Sequence, residues 1–375
     1  MGCREAVSPG SVASASSPTF YQMLQMGVAD LKRRMKEAGS RGERARTAAA
    51  LVVRDLLVVL FAVLYVSLFT ALFGPVASAP AVATFVMLVC LRFVAFGYAP
   101  RDNLKVLGVL FAVFATAPLL VSAASPAVRL LVNVVCLGTV MALAVDDPRM
   151  GTGGMYGFAY CFVTGSLYGQ PLSGDVLASW IGAMALGFVA CAAVYWKNRF
   201  ACVSEKRLAD ALRSRCLRSR ETAYRLRVAV GVALSLFAGD VLGLPRLMWV
   251  GLVASSMLTP YGLRVVDRLG TRVLFVALGT GLFLLAYGLV PPELQGLIAI
   301  AAGLGTGLCA TYRWSQVFNT VGAMTLGVTC CGLEVASVAR VGDNLAGAVF
   351  ALLVSAAFAG LASLSSRKGD RGEAA

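Results

Sequence analysis

Residues 52–73 read VVRDLLVVLFAVLYVSLFTALF and follow the arginine-rich stretch RGERAR at residues 41–46. An α-helix needs roughly 20 apolar residues to cross a hydrocarbon core about 30 Å thick. This segment therefore predicts a membrane-spanning helix that begins beside a basic stretch. A second basic stretch lies at residues 197–227, and about six apolar segments follow each of the two. The pattern predicts an all-α membrane protein with about twelve transmembrane helices.

The predicted spans divide the chain into two membrane halves. The first half holds spans at roughly 52–73, 77–98, 104–123, 127–145, 153–169 and 175–196. The second half holds spans at roughly 227–243, 246–263, 272–290, 294–311, 317–333 and 343–363. The predicted domains are a disordered leader with a basic amphipathic segment (1–46), a first six-helix repeat (47–196), a basic linker (197–226), a second six-helix repeat (227–363) and a cytosolic tail (364–375).

The basic residues predict the orientation of these spans. All but four of the 33 Lys and Arg residues fall on one side of the predicted membrane or at its boundary. The exceptions are Arg129, Arg246 and Arg340 near the other side, and Arg92 inside a span. Because basic loops stay in the cytosol, we expect a multi-pass protein of the plasma or inner membrane with both termini cytosolic. The basic, amphipathic residues 20–46 are expected to lie on the anionic inner leaflet.

The two halves resemble each other in their connections. An even number of spans in each half gives both halves the same orientation, so we expect two parallel repeats related by an axis along the membrane normal. Three pairs of connections correspond along the chain: Gly74-Pro75 with Gly243-Leu244-Pro245, Pro126 with Pro292, and Gly174-Asp175 with Gly342-Asp343.

The composition narrows the classes of function. The chain is 58% hydrophobic and 14% charged, whereas a soluble domain is about 25% charged. The net charge is +14, and the basic residues responsible for it lie between apolar spans. The rule that basic loops stay in the cytosol explains their position, so we expect no nucleic-acid partner. The chain has no histidine and none of its ten cysteines forms a C-x-x-C pair. We therefore expect no metal, no cofactor and no enzymatic activity.

The adjacent acids Asp146 and Asp147 form the pair that would suggest metal chemistry. No further acidic motif accompanies them, so a loop and helix-capping role is expected. The predicted fifth span is rich in glycine, at Gly151, Gly153, Gly154, Gly157, Gly165 and Gly169. Close helix packing is the expected reason, and a discontinuous helix beside a pathway is the alternative.

Residues 259–272 read TPYGLRVVDRLGTR and follow a helix that contains Trp249. Here the chain resembles the fusaric acid resistance-like (FUSC), or aromatic acid exporter, family. The resemblance rests on the basic loop with Arg264, Arg268, Gly270 and Thr271, on the loop at residues 312–319, and on the closing R-x-x-D-x-x-x-G pattern of Arg340, Asp343 and Gly347. It covers about 225–362 well and about 47–196 more weakly, since the first-half loop at residues 100–105 lacks Gly-Thr.

The resemblance implies an efflux transporter for small, often aromatic, carboxylic acids. The expected partners are a small organic anion substrate and membrane lipids, with a homo-oligomer left open. Residues 262–272 also loosely resemble the loop of major-facilitator transporters, although the spacing is one residue too long. An anion channel and a non-transporting membrane scaffold are further alternatives.

Seven residues are candidates for substrate binding, gating or coupling. Arg92 falls well inside a predicted span, where a charge usually faces the bundle or a water-filled path, although snorkelling to the interface is the alternative. Asp240 is a candidate for proton coupling and could pair with Arg246. The remaining candidates lie at the predicted cytosolic ends of spans, where a purely topological role is the alternative: Arg264, Asp267, Arg268, Arg272 and Arg313.

Overall fold

The computed structural model describes residues 18–91, 94–199, 204–216, 219–262 and 265–372, with side chains as far as residue 360. Within these residues the chain forms α-helices and short 3-10 turns and no strand, which confirms the predicted all-helical fold. The helices are α1 (Phe20–Leu24), α2 (Val28–Glu37), α3 (Arg41–Phe73), α4 (Ser78–Leu91), α5 (Pro100–Ala123), α6 (Pro126–Ala144), α7 (Thr152–Ser166), α8 (Gly174–Asn198), α9 (Leu208–Arg213), α10 (Arg220–Val241), α11 (Leu247–Leu258), α12 (Val266–Leu289), α13 (Gly296–Leu308), α14 (Tyr312–Cys331) and α15 (Leu333–Gly372).

Helix length sets how many segments can cross a membrane. Each predicted span overlaps one helix, but in the described part of the chain only six helices are long and apolar enough to cross by length and composition. They are α3, α5, α6, α8, α12 and α15. The apolar helix α11 has 12 residues, or about 18 Å, which is shorter than the hydrocarbon core. The protein is therefore a multi-pass membrane protein, and the twelve-span, two-repeat arrangement remains a prediction.

The chain forms two compact units that do not coincide with the predicted halves. The first unit consists of Met1–Leu64 and Phe275–Cys331. The second unit consists of Tyr65–Leu274 and Gly332–Ala375. Each unit is thus assembled from segments that are distant in the sequence, and the predicted domain boundaries stay a prediction.

In the first unit, the amphipathic N-terminal helices pack on the protein itself. Met23 and Leu31 are buried in a cluster with Ala50 and Leu51 of α3, and Leu308 packs against this cluster. The apolar face of α2 is therefore covered by protein. This face buries against α3 and the end of α13, and the expected position of residues 20–46 on the inner leaflet stays a prediction.

In the second unit, α11 lies between α7 and α15 at very short distances. A Cβ atom built at Gly157 of α7 would lie 2.6 Å from Oγ of Ser255, and one at Gly165 would lie 2.7 Å from Cα of Met248. On α15, a Cβ atom built at Gly347 would lie 2.8 Å from the carbonyl oxygen of Val250 in α11. The glycines of the predicted fifth span thus allow close helix packing, as is common between membrane helices.

Part of the basic linker is docked onto the second unit. Lys206 Nζ lies 2.9 Å from a carboxylate oxygen of Asp146, and Arg215 lies 3.6 Å from the other. The backbone N–H of Ala99 donates to the carbonyl of Lys206 at 2.8 Å. Asp147 accepts from the backbone N–H of Arg149 and caps the turn there, as its loop position suggested. The acidic pair therefore fixes the linker and a turn.

The packing around α11 predicts opposite effects for two glycines of the same helix. Gly347→Ala forces its methyl group into the α11 backbone, and we expect a loss of about 1–3 kcal/mol of stability. Gly342→Ala is the control, because nothing lies within 4 Å of its Cβ position and alanine raises helix propensity by up to about 1 kcal/mol. The measurement is the thermal unfolding midpoint of both variants in detergent. Equal midpoints for the two variants would contradict the close approach.

Candidate functional site

Helix α11 carries a tryptophan that two arginines approach. Trp249 is 1% exposed, and its ring centroid lies 5.1 Å from the guanidinium carbon of Arg340 on α15. The guanidinium carbon of Arg246, just before α11, lies 5.5 Å from the same ring. An aromatic ring attracts a cation at such distances, most strongly where water is excluded. The ring thus stabilises two positive charges beside one short helix.

An acid on α15 fixes the beginning of α11. Asp343 is 1% exposed, and its Oδ2 accepts a hydrogen bond of 3.1 Å from the backbone N–H of Arg246. Its Oδ1 is buried and accepts no hydrogen bond from the described residues. The carboxylate lies one helical turn from Arg340 along α15, so it partly balances the positive charge there. The closing R-x-x-D-x-x-x-G pattern therefore supplies a cation, an acid and a close helix contact, all directed at α11.

The other end of α11 is approached by basic residues of α12. Arg272 is 5% exposed and donates a hydrogen bond to Oγ of Ser256. Arg268 donates to the carbonyl oxygen of Ser256 at 3.4 Å. Arg340, which is 6% exposed, is close enough to Arg272 for the two charges to repel each other. Two guanidiniums are thus buried, one on each of two membrane-length helices.

This arrangement favours an anion. Burying a charge costs several kcal/mol unless other groups compensate it. The contacts of Arg272 and Arg340 with Ser256 and Trp249 reduce that cost, but their mutual repulsion adds to it. A carboxylate is the group that a planar guanidinium binds best, through two parallel hydrogen bonds. The surroundings of α11 are therefore chemically suited to attract a small organic anion.

The structure brings two of the predicted site residues to α11 and places two others on the exposed surface. Arg272 is buried and Arg268 is partly buried, and both reach the same serine on α11. Asp267 is exposed at the start of α12. Arg313 is exposed at the start of α14, in the first compact unit.

Two candidates cannot be placed. Arg92 and Arg264 lie outside the described residues. The interpretation of Arg92 as a charge within a span therefore stays a prediction, and so does the contribution of Arg264 to the basic loop.

Asp240 forms a separate polar cluster in the second unit. Arg129 Nη1 lies 3.0 Å from each carboxylate oxygen of Asp240 and 2.6 Å from the hydroxyl oxygen of Tyr168. The Tyr168 hydroxyl in turn donates to Asp240. The expected pairing of Asp240 with Arg246 is wrong, because the first turn of α6 brings Arg129 to Asp240, while the Arg246 backbone bonds to Asp343.

A small cavity lies beside this cluster. Its volume is about 20 Å³, which is enough for one water molecule. Arg129, Tyr168 and Asp240 line it together with Asn133 and Thr164. The cluster is thus a nearly closed, polar contact among α6, α10 and the end of α7 and not an open binding pocket.

Sequence reasoning did not select Arg129, Trp249 or Arg340 as site residues. Arg129 and Arg340 were two of the four basic residues that departed from the positive-inside distribution. That departure was the available signal, since a charge that breaks the topological pattern needs another reason to be there. The contacts of both residues inside the second unit supply that reason.

The fold and the buried arginines define the class: a multi-pass, all-helical membrane protein with positive charge held between its helices. Residues 232–354 match the family described as fusaric acid resistance protein-like, which confirms the suspected family over this part of the chain. The matched segment runs from α10 into α15 and contains Trp249, Arg272, Arg340 and Asp343. No curated protein and no solved structure gave a match. The family supports a role in membrane transport.

The Arg129–Asp240 contact predicts a strong coupling between the two residues. In a double-mutant cycle of Arg129→Gln and Asp240→Asn, we expect a coupling energy of about 1–3 kcal/mol, because the pair is largely withdrawn from water. The control is a cycle of Arg33→Gln and Asp30→Asn, an exposed pair with the same chemistry, for which we expect below about 0.5 kcal/mol. Free energies of unfolding in detergent give both values. A coupling at Asp240 as small as the control would refute the pairing.

Proposed function

We propose that this protein is an inner-membrane efflux transporter for small organic carboxylic acids, with aromatic acids as the first class to test. The observation that carries the proposal is the pair of buried guanidiniums, Arg272 and Arg340, on two membrane-length helices beside α11. Charged side chains at such positions are costly and usually mark a substrate or ion path. The family match over the same residues supports transport as the class of function.

The geometry of α11 supports a path along this helix. Trp249 and Ser256 are seven residues apart, which is about 10 Å along a helix. The guanidinium of Arg340 contacts Trp249, and the guanidinium of Arg272 contacts Ser256. An anion that leaves one guanidinium therefore meets the other within a single step. Because α11 is too short to cross the membrane alone, polar groups at its ends lie where longer helices would present only apolar side chains.

The remaining basic candidates belong to the proposed cytosolic entrance. Arg268 shares Ser256 with Arg272 and would pass the substrate to it. Arg264 would raise the local concentration of anions by long-range attraction. Arg313 belongs to the other compact unit and is proposed as a gating residue there. Arg92 is proposed as a further guanidinium on the path. Asp267, with its negative charge, would hold the loop and not the substrate.

Coupling to protons is proposed to act through Asp240. As an ion pair with Arg129, Asp240 holds the contact among α6, α7 and α10 closed. Protonation would remove the negative charge and release Arg129, which would then be free to bind a substrate carboxylate at the outer side. Substrate binding and protonation of Asp240 would thus be linked at one carboxylate, and loss of that proton would favour substrate release.

The proposed transporter contains twelve spans in two parallel repeats with both termini in the cytosol. The other six helices that overlap predicted spans, α4, α7, α10, α11, α13 and α14, would complete the set. Of these, α4, α11 and α13 are short apolar helices that would be partial spans covered by neighbouring helices. The corresponding positions of α4 and α11, each second in its half, support the repeat. An anion channel would use the same arginines, and uphill export of substrate separates the two.

The transport proposal predicts graded effects at the two buried arginines. Lysine at position 272 or 340 keeps the charge but loses the planar fork, so we expect weaker carboxylate transport, and Arg272→Gln or Arg340→Gln should lose about 10- to 150-fold in apparent affinity. The measurement is uptake of aromatic carboxylates into inverted vesicles, normalised to inserted protein. The control is Arg220→Gln, which removes an exposed charge. Wild-type affinity in all four variants at these positions would exclude the site.

The orientation predicts where single reporters will be found. Because most Lys and Arg residues lie on one predicted side, reporter fusions or cysteine labelling should place residues 210 and 370 in the cytosol and residue 292 outside. The partner experiment is labelling with a membrane-impermeant reagent in intact and in permeabilised cells. External labelling of residue 210 would be incompatible with both the orientation and the six-plus-six arrangement.

A further inference from the structure

The first compact unit contains a cavity of about 410 Å³. Sites for small molecules commonly measure about 300–1,000 Å³, so the cavity has the size of a binding site. One wall is a face of α2, and the other is formed by the α13–α14 connection with the first turn of α14. The lining residues are Ala29, Lys32, Arg33, Lys36, Cys309, Ala310, Thr311 and Trp314.

The basic wall of the cavity is held in place by the opposite face of the same helix. Leu31 is completely buried against α3 in the cluster that includes Ala50 and Leu51, and Met35 packs against that cluster one helical turn later. The residues that alternate with these anchors, Lys32 and Lys36, are one turn apart and therefore point together into the cavity. The site is thus built by packing and does not depend on a flexible tail.

The cavity has an excess of positive charge. Arg33 forms an exposed ion pair with Asp30 at 2.9 Å, which balances one of the three cations. Among the described residues, no ion pair is formed by Lys32 or Lys36. Two ammonium groups are therefore left to face a ligand.

The surroundings indicate where the cavity opens. The apolar part of α3 begins at the end of the cluster that anchors α2, and its Val52, Leu56 and Leu57 side chains are exposed there, as expected for contact with lipid. Trp314 lines the cavity and is 53% exposed. Tryptophan next to lysines is typical of the interface between acyl chains and headgroups. These surroundings are those expected of a site beside lipid headgroups.

We propose that this cavity binds the phosphate group of an anionic glycerophospholipid headgroup, with Lys32 and Lys36 as the ligands and Trp314 against the glycerol backbone. Lysine binds phosphate as a mobile point charge, and basic pockets beside membrane helices are suited to anionic headgroups. The acyl chains would run along the exposed apolar side chains of α3. This proposal does not depend on the proposed transport path.

The test uses the purified full-length protein in a neutral detergent. The probes are dioctanoyl phosphatidylglycerol, dioctanoyl phosphatidylcholine and inorganic phosphate, and native mass spectrometry or a tryptophan fluorescence titration reports binding. We expect saturable binding of phosphatidylglycerol, a much weaker effect of phosphatidylcholine, and no competition by millimolar phosphate. The Lys32→Ala/Lys36→Ala variant should bind phosphatidylglycerol about 10- to 100-fold more weakly.

The matched control removes the same charge from the same basic stretch but not from the cavity. Arg34→Ala/Arg44→Ala should bind like the wild type, because neither residue lines the cavity. Lys32→Arg/Lys36→Arg should keep binding, which shows that a loss in the alanine variant is not a folding defect. Equal losses in the alanine variant and the control would reduce the site to unspecific attraction and overturn the proposal. Competition by inorganic phosphate would assign the cavity to a soluble anion instead of a lipid.

Discussion

The close approach of α7 and α15 to α11 is the contact on which the second unit depends. Two glycines of α7 and one of α15 let neighbouring backbones come within distances that a single methyl group would forbid. Van der Waals packing of this kind is a main driving force between membrane helices, because lipid provides no hydrophobic effect between them. The contact also fixes where polar side chains of α15 must lie, since Arg340 and Asp343 occupy the two turns before Gly347.

The same contact explains how buried charge is tolerated. Arg340 reaches the Trp249 ring and Asp343 reaches the Arg246 backbone only because α15 lies against α11. Without that approach, both charged groups would lose these contacts. Structure and proposed function therefore depend on the same packing, because it keeps the guanidinium of Arg340 buried beside α11.

The sequence was sufficient for the helices and for part of the site. Apolar runs of membrane length predicted a helix at every position where the structure has a long one, because hydrophobicity is a local property. The closing pattern Arg340, Asp343 and Gly347 pointed to the right segment for the same reason, since its spacing places the three residues on one side of a helix. Arg272 was selected from a basic loop and is buried in the structure.

The sequence alone did not predict properties that depend on contacts between distant segments. Apolar composition does not reveal where a helix ends, so it does not fix the number of spans. The predicted eighth span included Pro260, whereas α11 ends at Leu258. Asp240 was matched to the nearest arginine along the chain, but its partner is 111 positions away. The basic helix α2 shows the limit most clearly. Its amphipathic pattern fits a leaflet and a protein surface equally well, and only the position of α3 decides that Leu31 is buried in protein while Lys32 and Lys36 are left to an anion.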